Sequence, residues 1–175
     1  MINGISNPQE LFSFMKSNIR YGFVSKDGKK YIRKEVEESI YMDNIIRNYY
    51  FQKPEEVLIS KCGICYDQVA LAKKFLLDNN YKVYTFYTRI HNHVFLVYED
   101  NNKYYYFERS FPNHNGIFSF NNLEELFRYY ISIQNDLINE ISFYSYDDVI
   151  YGCDFYDFIN NIIKNDDIKM VLKRN

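Results

Sequence analysis

The sequence predicts a single α+β domain, in which helices are segregated from a mostly antiparallel β-sheet. Its 175 residues include 47 % hydrophobic and 25 % charged side chains, which suits one domain with a sizeable core. After Asn80 the spacing of hydrophobic residues changes from a period of 3.6 to a period of 2. The β-rich segments then follow one another without intervening helices, as in a meander and unlike alternating βαβ units.

The N-terminal third predicts a helix, a hairpin and further helical segments. Residues 8–20 have apolar side chains at helical spacing. A turn signal at Lys26–Gly28 separates two aromatic-rich segments, which indicates a β-hairpin. Residues 34–51 and 54–60 have a helical or irregular pattern, and Pro54 followed by two glutamates makes a favourable first helical turn.

An amphipathic helix is predicted from Cys65 to Asp78, where an apolar stripe lies opposite charged side chains. The turn signal Asn79–Asn80 ends this helix. Three β-rich runs follow, and they read YKVYTFYTR, NHVFLVYED and NKYYYFERS. A turn at Asp100–Asn102 joins the last two runs, which predicts a hairpin.

The C-terminal part of the sequence returns to helix. Its pattern predicts a second helix at about 122–138, a short strand near 141–147, a helix near 154–164 and a short tail. The predicted order is therefore helix, β-meander and more helix, which is the α+β arrangement.

Charge and composition bear on the compartment and the partners. The formal charge of −2, spread along the chain, gives no electrostatic footprint for nucleic acid. The N-terminus lacks the basic and apolar regions of a signal peptide, and no stretch approaches the roughly 20 apolar residues of a membrane span. Three cysteines do not suggest a secreted disulfide framework. We therefore expect a cytoplasmic protein with neither nucleic acid nor membrane as partner, and its oligomeric state is open.

The Cys-x-x-C motif at the start of the predicted helix has several interpretations. A redox dithiol would follow a βαβ unit, whereas a helix and a hairpin precede this motif. A zinc site would combine Cys62 and Cys65 with His91 and His93, whose chemistry suits zinc but whose spacing differs from that of zinc fingers. A buried thiol with a purely structural role is a third possibility.

A fourth interpretation makes Cys65 a nucleophile. In the first turn of a helix, unpaired N–H groups and the helix dipole favour a thiolate and can bind a developing oxyanion. A nucleophile needs a base, and the base needs an acceptor that orients it. His93 and Glu108 lie on the two strands of the predicted hairpin. With a turn near Asn101, His93 is expected opposite residue 108 or 109, within reach of a hydrogen bond to Glu108.

These residues resemble the transglutaminase-like superfamily, which carries a Cys-His-Asp triad in this chain order. The superfamily pattern Gly-x-Cys-x-Asp-x-Ala is matched by GICYDQVA, Gly63 to Ala70. The histidine at the head of a strand is matched by HVFLVYED, and the acid-bearing strand by KYYYFERSF, with Glu108 in place of Asp. Several segments from Tyr21 to Tyr130 are similar, in order, to small bacterial members: YGFVSKDG, FQKPEEVL, CGICYDQVAL, HVFLVY and YYFERSF.

The resemblance implies a papain-like core in which the nucleophile helix packs on an antiparallel sheet, with additional helices at both ends. The single domain would cover residues 1–175, with a core at about 21–130 and an extension at 131–175. The implied activity is acyl transfer from a peptide or protein amide, by hydrolysis or transamidation, with no cofactor or metal. A non-catalytic peptide-binding or protein-binding module on the same fold is the alternative.

The resemblance assigns the catalytic triad to Cys65, His93 and Glu108. Gln52 in FQKPEEVL is a candidate oxyanion donor by residue type and position. The interval between Cys65 and His93 is short for the superfamily, which implies a trimmed, open cleft where water is the abundant acceptor, and this favours hydrolysis.

Five further residues have chemically capable side chains. Asp67 matches the aspartate of the pattern, and a favourable charge in the first helical turn is its ordinary role. Cys62 and Cys153 are expected to be structural. His91 is expected at the rim of the site, and His114 is expected to be exposed in a loop.

Overall fold

The computed structural model describes residues 2, 4–111, 113–134, 138–147, 150–165 and 168–173. The helices in this part of the chain are α1 (Pro8–Asn18), α2 (Glu38–Asn48), α3 (Pro54–Ser60), α4 (Cys65–Asp78), α5 (Leu123–Ser132) and α6 (Phe155–Asn165). The strands are β1 (Arg20–Val24), β2 (Lys30–Ile32), β3 (Cys62–Gly63), β4 (Lys82–Thr88), β5 (His93–Asp100), β6 (Lys103–Glu108), β7 (Gly116–Phe120), β8 (Glu140–Ser145) and β9 (Ile168–Lys173).

Two sheets organise these elements. The larger has six strands in the order β7-β6-β5-β4-β8-β9, and each neighbouring pair is antiparallel. The smaller has the order β2-β1-β3, in which β1 and β2 form the expected hairpin and β1 runs parallel to β3. Helices lie outside an antiparallel sheet, so the predicted α+β class is confirmed.

The larger sheet separates two apolar clusters. Val94, Leu96 and Tyr98 of β5 belong to the cluster that contains α4, whereas Phe95 and Val97 belong to the cluster that contains α5. Both faces of β5 are therefore buried, which explains why its sequence is an almost continuous hydrophobic run. Helix α4 is also more enclosed than its amphipathic pattern predicts, with ten of its fourteen residues buried.

The elements with strong local periodicity lie where the sequence predicts them, and the weaker ones differ. The helix expected at 122–138 ends at Ser132, and residues 135–137 lie outside the described part of the chain. The short tail expected after α6 contains β9, an edge strand that pairs with β8. Strands β3 and β7 were not predicted. All three depend on a neighbouring strand, because two to six residues carry little intrinsic preference.

The hairpin of β5 and β6 corrects the expected register. Asn101 and Asn102 both have positive φ angles, 47° and 59°, as a two-residue turn with left-handed residues requires. The pairing runs from Asp100↔Lys103 to Leu96↔Phe107, so its continuation places Phe95, and not His93, opposite Glu108. His93 is a diagonal neighbour of Glu108 on the same face of the sheet.

The end of β6 is tied to the N-terminal helix by Arg109. Its Nη2 lies 3.2, 3.4 and 3.5 Å from the carbonyl oxygens of Ile19, Lys16 and Met15. These carbonyls lie at the C-terminal end of α1. The Met15 carbonyl also accepts the Ile19 N–H at 2.9 Å, whereas the last carbonyls of a helix lack intrahelical donors. Arg109 therefore connects α1 to the strand that carries Glu108.

Candidate active site

Cys65 is the first residue of α4 and is 6 % exposed. The position of the helix start is set by β3, because Tyr21 of β1 pairs with Gly63 in the parallel register. A Cβ atom at Gly63 would lie only 2.8 Å from the Cβ of Asp67, so this close approach requires glycine. The Gly-x-Cys-x-Asp motif thus places the thiol at the end of a short strand and the beginning of a helix.

The carboxylate of Asp67 holds this helix start in place. It is fully buried and accepts hydrogen bonds of 3.0 Å each from the Ile64 N–H, the Gln52 N–H and the Tyr49 hydroxyl. Burial raises the pKa of Asp67 to about 7, although the three donors act in the opposite direction. The first-turn role expected of Asp67 is therefore that of a buried cap that also fixes the segment before α3.

His93 and Glu108 form a buried pair. His93 Nε2 lies 2.7 Å from Glu108 Oε2, and the two side chains are 7 % and 2 % exposed. The same oxygen accepts a 2.7 Å hydrogen bond from the Tyr106 hydroxyl. The other oxygen accepts from the N–H groups of Ser110 and Phe111, at 2.6 and 2.9 Å. Four donors therefore surround one carboxylate.

These contacts determine the charges of the pair. Burial raises the pKa of Glu108, but His93, Tyr106 and the Ser110 N–H outweigh this effect, so the pKa is lowered below its ordinary value. Burial lowers the pKa of His93, but the Glu108 carboxylate outweighs it, and the pKa is raised well above its ordinary value. An imidazolium beside a carboxylate is the favoured state of the pair at neutral pH.

Aromatic rings enclose the imidazole of His93. The ring of Tyr130 lies nearly parallel to it, with an interplanar angle of 16° and a centroid distance of 6.5 Å. Phe95 and Phe111 lie at centroid distances of 6.5 and 5.8 Å. These rings restrict rotation of the imidazole and keep bulk water away from its contact with Glu108.

Cys65 and His93 line one cavity of about 730 Å³. The neighbouring Cys65 side chain also raises the pKa of His93. Because Nε2 faces Glu108, Nδ1 is the ring nitrogen left for Cys65. The structure thus brings Cys65, His93 and Glu108 together in a chain of contacts, and His91 lines the same cavity, as expected of a rim residue.

A turn held by two tyrosines orients the start of β5. His91 and Asn92, which precede His93, have φ angles of 58° and 46° in the left-handed region. The Tyr66 hydroxyl donates to the Asn92 carbonyl oxygen at 3.0 Å, and the Tyr87 hydroxyl donates to Asn92 Oδ1 at 2.9 Å. Since Tyr66 directly follows Cys65 in α4, this contact links the helix of the thiol to the turn before the imidazole.

Sequence reasoning missed Tyr66, Asn92 and Tyr106. Tyr106 could have been found, because strand alternation puts residues 106 and 108 on the same face of β6. The contact between Tyr66 and Asn92 has no local signal, since it joins elements that are 26 residues apart.

Gln52 lies apart from the other predicted site residues. It is buried, its Nε2 donates to the Cys62 carbonyl oxygen at 2.9 Å, and it lines a separate depression rather than the cavity of Cys65. The structure therefore gives Gln52 a contact with the strand before α4, whereas the sequence predicts an oxyanion donor.

The remaining cysteines and His114 differ in exposure. Cys62 is completely buried, and burial raises its pKa to about 12. Cys62 and Cys65 are both free thiols. Cys153 is partly buried against the core, and burial raises its pKa to about 11. His114, expected to be exposed, is half-buried with its ring centroid 5.9 Å from that of Phe111.

The four side chains of the alternative zinc site do not assemble. Within the described residues, no three His, Cys, Asp or Glu side chains form a group that could hold a metal ion. None of the helices in the same part of the chain has the length and apolarity required to cross a bilayer.

Comparison with known proteins identifies a relationship that covers most of the chain. A family model described as a transglutaminase-like domain matches residues 3–144. No curated protein matches the sequence. The matched region contains α1 to α5, the thiol, the imidazole and the carboxylate, and it ends before α6.

Proposed function

The chain belongs to the transglutaminase-like family, and from this premise we propose that it is a cysteine-dependent acyl-transfer enzyme. Cys65 is the nucleophile, His93 the general base and then acid, and Glu108 the group that orients the imidazole. The observation that carries the proposal is the buried 2.7 Å contact between His93 Nε2 and Glu108 Oε2, beside a cavity that Cys65 and His93 share.

In the first step, the Cys65 sulfur attacks the carbonyl carbon of an amide. The thiol proton already lies on His93 Nδ1 as part of the imidazolium, so Cys65 attacks as a thiolate. A C–S bond forms, and the carbonyl oxygen becomes an oxyanion. The tetrahedral intermediate then collapses, the C–N bond breaks, and His93 gives its proton to the leaving amine. An acyl-enzyme thioester remains on Cys65.

The oxyanion forms beside the N-terminus of α4. The N–H groups in the first turn of a helix have no intrahelical acceptors, and the helix dipole favours negative charge there. The backbone at Cys65 is therefore the proposed donor site for the oxyanion. This assignment replaces Gln52, whose amide nitrogen is engaged with the Cys62 carbonyl oxygen.

In the second step, His93 removes a proton from the acceptor as it attacks the thioester carbonyl carbon. A C–O or C–N bond to the acceptor forms, the C–S bond breaks, and Cys65 leaves as a thiolate beside the imidazolium. Water as acceptor gives hydrolysis, and a primary amine gives transamidation. We favour hydrolysis because the cavity opens to solvent beside half-exposed side chains such as Met42 and Ile46, so that water reaches the thioester. The charge of Glu108 does not change in either step.

The proposal is tested by alkylation with iodoacetamide at pH 6.5, with modified sites identified by mass spectrometry. Cys65 should react at least about tenfold faster than the thiol of glutathione, because a neighbouring imidazolium stabilises the thiolate. Cys153 provides a slow internal reference, since burial raises its pKa to about 11. In the His93→Ala variant the advantage of Cys65 should disappear. Reaction of Cys65 no faster than that of glutathione would contradict the proposal.

A matched variant separates this mechanism from a redox dithiol. Cys62→Ser should leave the alkylation rate of Cys65 nearly unchanged, because Cys62 is completely buried and lies outside the cavity lining. A redox dithiol would instead lose its disulfide and its activity in Cys62→Ser. Far-ultraviolet circular dichroism of both variants controls for unfolding.

A further inference from the structure

Helix α6 forms one wall of the cavity that contains Cys65. Phe155, Tyr156 and Ile159 line this cavity. The family match ends at residue 144, so this wall comes from a part of the chain outside the shared domain. The chemistry at Cys65 and the shape of the cavity beside it therefore derive from different segments.

The contact of α6 with α4 is aromatic and closely packed. The rings of Phe155 and Phe158 stack on the ring of Tyr66, at centroid distances of 5.7 and 4.3 Å, both with interplanar angles of 26°. Phe158 also packs edge-on against Phe51 at 4.9 Å. Because Tyr66 directly follows Cys65, these contacts fix α6 relative to the thiol.

Helix α2 also lines the cavity, and its contribution is apolar as well. Tyr41, Met42, Ile45 and Ile46 line the cavity from this side. Met42 and Ile46 are 45 % and 41 % exposed, and Tyr156 of α6 is 54 % exposed. Large apolar side chains thus remain in contact with solvent at the opening of a cavity that leads to Cys65.

Among the described lining residues, Arg33 has a permanent charge, and His93 is an imidazolium at neutral pH that is paired with the Glu108 carboxylate. Arg33 Nε and Nη2 donate to the Glu38 carboxylate at 3.2 and 2.6 Å, so both cations already have a carboxylate partner. A carboxylate or ammonium group in this cavity would lose hydration without gaining a free partner of opposite charge. The lining therefore disfavours a charged occupant and favours an apolar one.

We propose that the cavity lined by α2 and α6, called the apolar cleft below, binds a large apolar side chain, aliphatic or aromatic, of the acyl donor next to the reacting carbonyl. This inference rests on the proposed function, because it takes the substrate of Cys65 as the occupant. The volume of about 730 Å³ lies in the range of small-molecule sites and accommodates a side chain with its flanking backbone.

The test compares two peptidyl chloromethyl ketones, N-acetyl-phenylalanyl and N-acetyl-aspartyl, as reagents for Cys65. In each reaction the sulfur forms a C–S bond while chloride leaves. Relative to their rates with glutathione, the phenylalanyl reagent should label Cys65 about tenfold faster or more. Equal labelling by the two reagents would overturn the inference.

Variants locate the selectivity. Tyr156→Ser removes a half-exposed ring without disturbing the core, and it should reduce the preference for the phenylalanyl reagent to a few-fold. Leu77→Ser removes a comparably exposed apolar side chain, 49 % exposed, from a part of α4 that does not line the cavity, and it should leave the preference intact. A preference that survives Tyr156→Ser and Ile159→Ser together would contradict the assignment to α6.

A binding experiment separates this inference from the chemistry of Cys65. In the Cys65→Ser variant, N-acetyl-phenylalaninamide should bind several-fold more tightly than N-acetyl-aspartamide, as measured by chemical-shift perturbation in NMR spectra, and Tyr156→Ser should reduce the difference. If Cys65 does not react with iodoacetamide but the binding selectivity in Cys65→Ser persists, the proposed function is contradicted and the apolar cleft is supported. If Cys65 is reactive but neither labelling nor binding is selective, the function stands and the cleft assignment fails.

Discussion

Replacement of Glu108 by glutamine tests the central contact of the site. The carboxylate of Glu108 accepts from four donors, two on each oxygen. Glutamine keeps one acceptor oxygen, and that oxygen satisfies the N–H groups of Ser110 and Phe111 if the backbone is unchanged. The amide NH₂ group then faces His93 Nε2 and the Tyr106 hydroxyl, where the wild-type protein has an acceptor.

The expected consequence is a neutral His93 with its proton on the wrong nitrogen. Nε2 must accept from the amide, so the remaining proton moves to Nδ1, the nitrogen that faces Cys65. The imidazole then cannot take the proton of the thiol. Loss of the equivalent carboxylate in a serine-protease triad lowers turnover by about 10⁴-fold. For alkylation, which reports only the thiolate, we expect the rate of Cys65 to fall about tenfold or more, to the level of His93→Ala.

The stability of the protein should fall as well. Removal of one partner from a buried ion pair costs about 3–5 kcal/mol. For a chain of this size, 1 kcal/mol corresponds to about 2–4 °C in the melting temperature. Glu108→Gln should therefore melt roughly 6–20 °C below the wild-type protein. Glu124→Gln, at an exposed ion pair on α5, provides the control and should change the free energy of unfolding by less than about 0.5 kcal/mol.

The contact between His93 and Glu108 should also make the stability of the protein depend on pH. The raised pKa of His93 contributes stability that is complete below its ordinary value of 6.5 and is lost as the pH rises through the folded-state value. The lowered pKa of Glu108 contributes stability above its ordinary value of 4.5, lost as the pH falls through the folded-state value. The contribution of the pair is thus largest between pH 4.5 and 6.5.

Thermal melts from pH 4 to pH 9, together with NMR titration of the His93 imidazole, measure these effects. In Glu108→Gln the imidazole should titrate at a much lower pH than in the wild-type protein. If its titration and the alkylation rate of Cys65 were the same in both proteins, the orienting role of Glu108 would be refuted.

Three further substitutions test the supports of the site. Asp67→Asn places an amide NH₂ against at least one donor, and it should lower the free energy of unfolding in urea by about 1–3 kcal/mol. Because burial raises the pKa of Asp67 to about 7, the stability of the wild-type protein should also fall as the pH rises from 4 to 7, and the variant should lack this pH dependence. Tyr66→Phe keeps the aromatic stack but removes the donor to the Asn92 carbonyl oxygen, so it should cost about 0.5–1.5 kcal/mol and slow alkylation of Cys65 while the His93 titration stays in place. Arg109→Met should accelerate amide hydrogen exchange at the C-terminal end of α1 and leave α5 unchanged, and equal protection of α1 in both proteins would contradict its capping role.

Local patterns account for much of the fold. Helix α4 begins at Cys65 and ends at Asp78, as predicted, because its apolar periodicity and the following asparagines act within the segment itself. Strands β4 to β6 are equally evident from alternation and the turn at Asn101–Asn102. Strand β9 could not be predicted, since its order comes from pairing with β8.

The sequence indicated which three side chains approach one another, but not their geometry, and their catalytic roles stay a prediction. A hairpin and a helix start suffice to suggest Cys65, His93 and Glu108 as partners. The diagonal position of His93 depends on the register of the hairpin, which a turn with two left-handed residues sets. A one-residue change in that register would move the side chains of one strand to the other face of the sheet. The apolar cleft depends on the docking of α6 across the helix of the thiol, and no segment of the sequence contains that information by itself.

Tyr66 joins two parts of the site that have separate tasks. Its ring stacks against the rings of Phe155 and Phe158, and its hydroxyl donates a hydrogen bond to the Asn92 carbonyl oxygen. If α6 tilts against α4, the side chain of Tyr66 must therefore move, and the same side chain donates the hydrogen bond to the turn before His93. A large occupant that displaces α6 would shift the imidazole with it, so the fit of the cleft and the alignment of the base are mechanically coupled through one phenol.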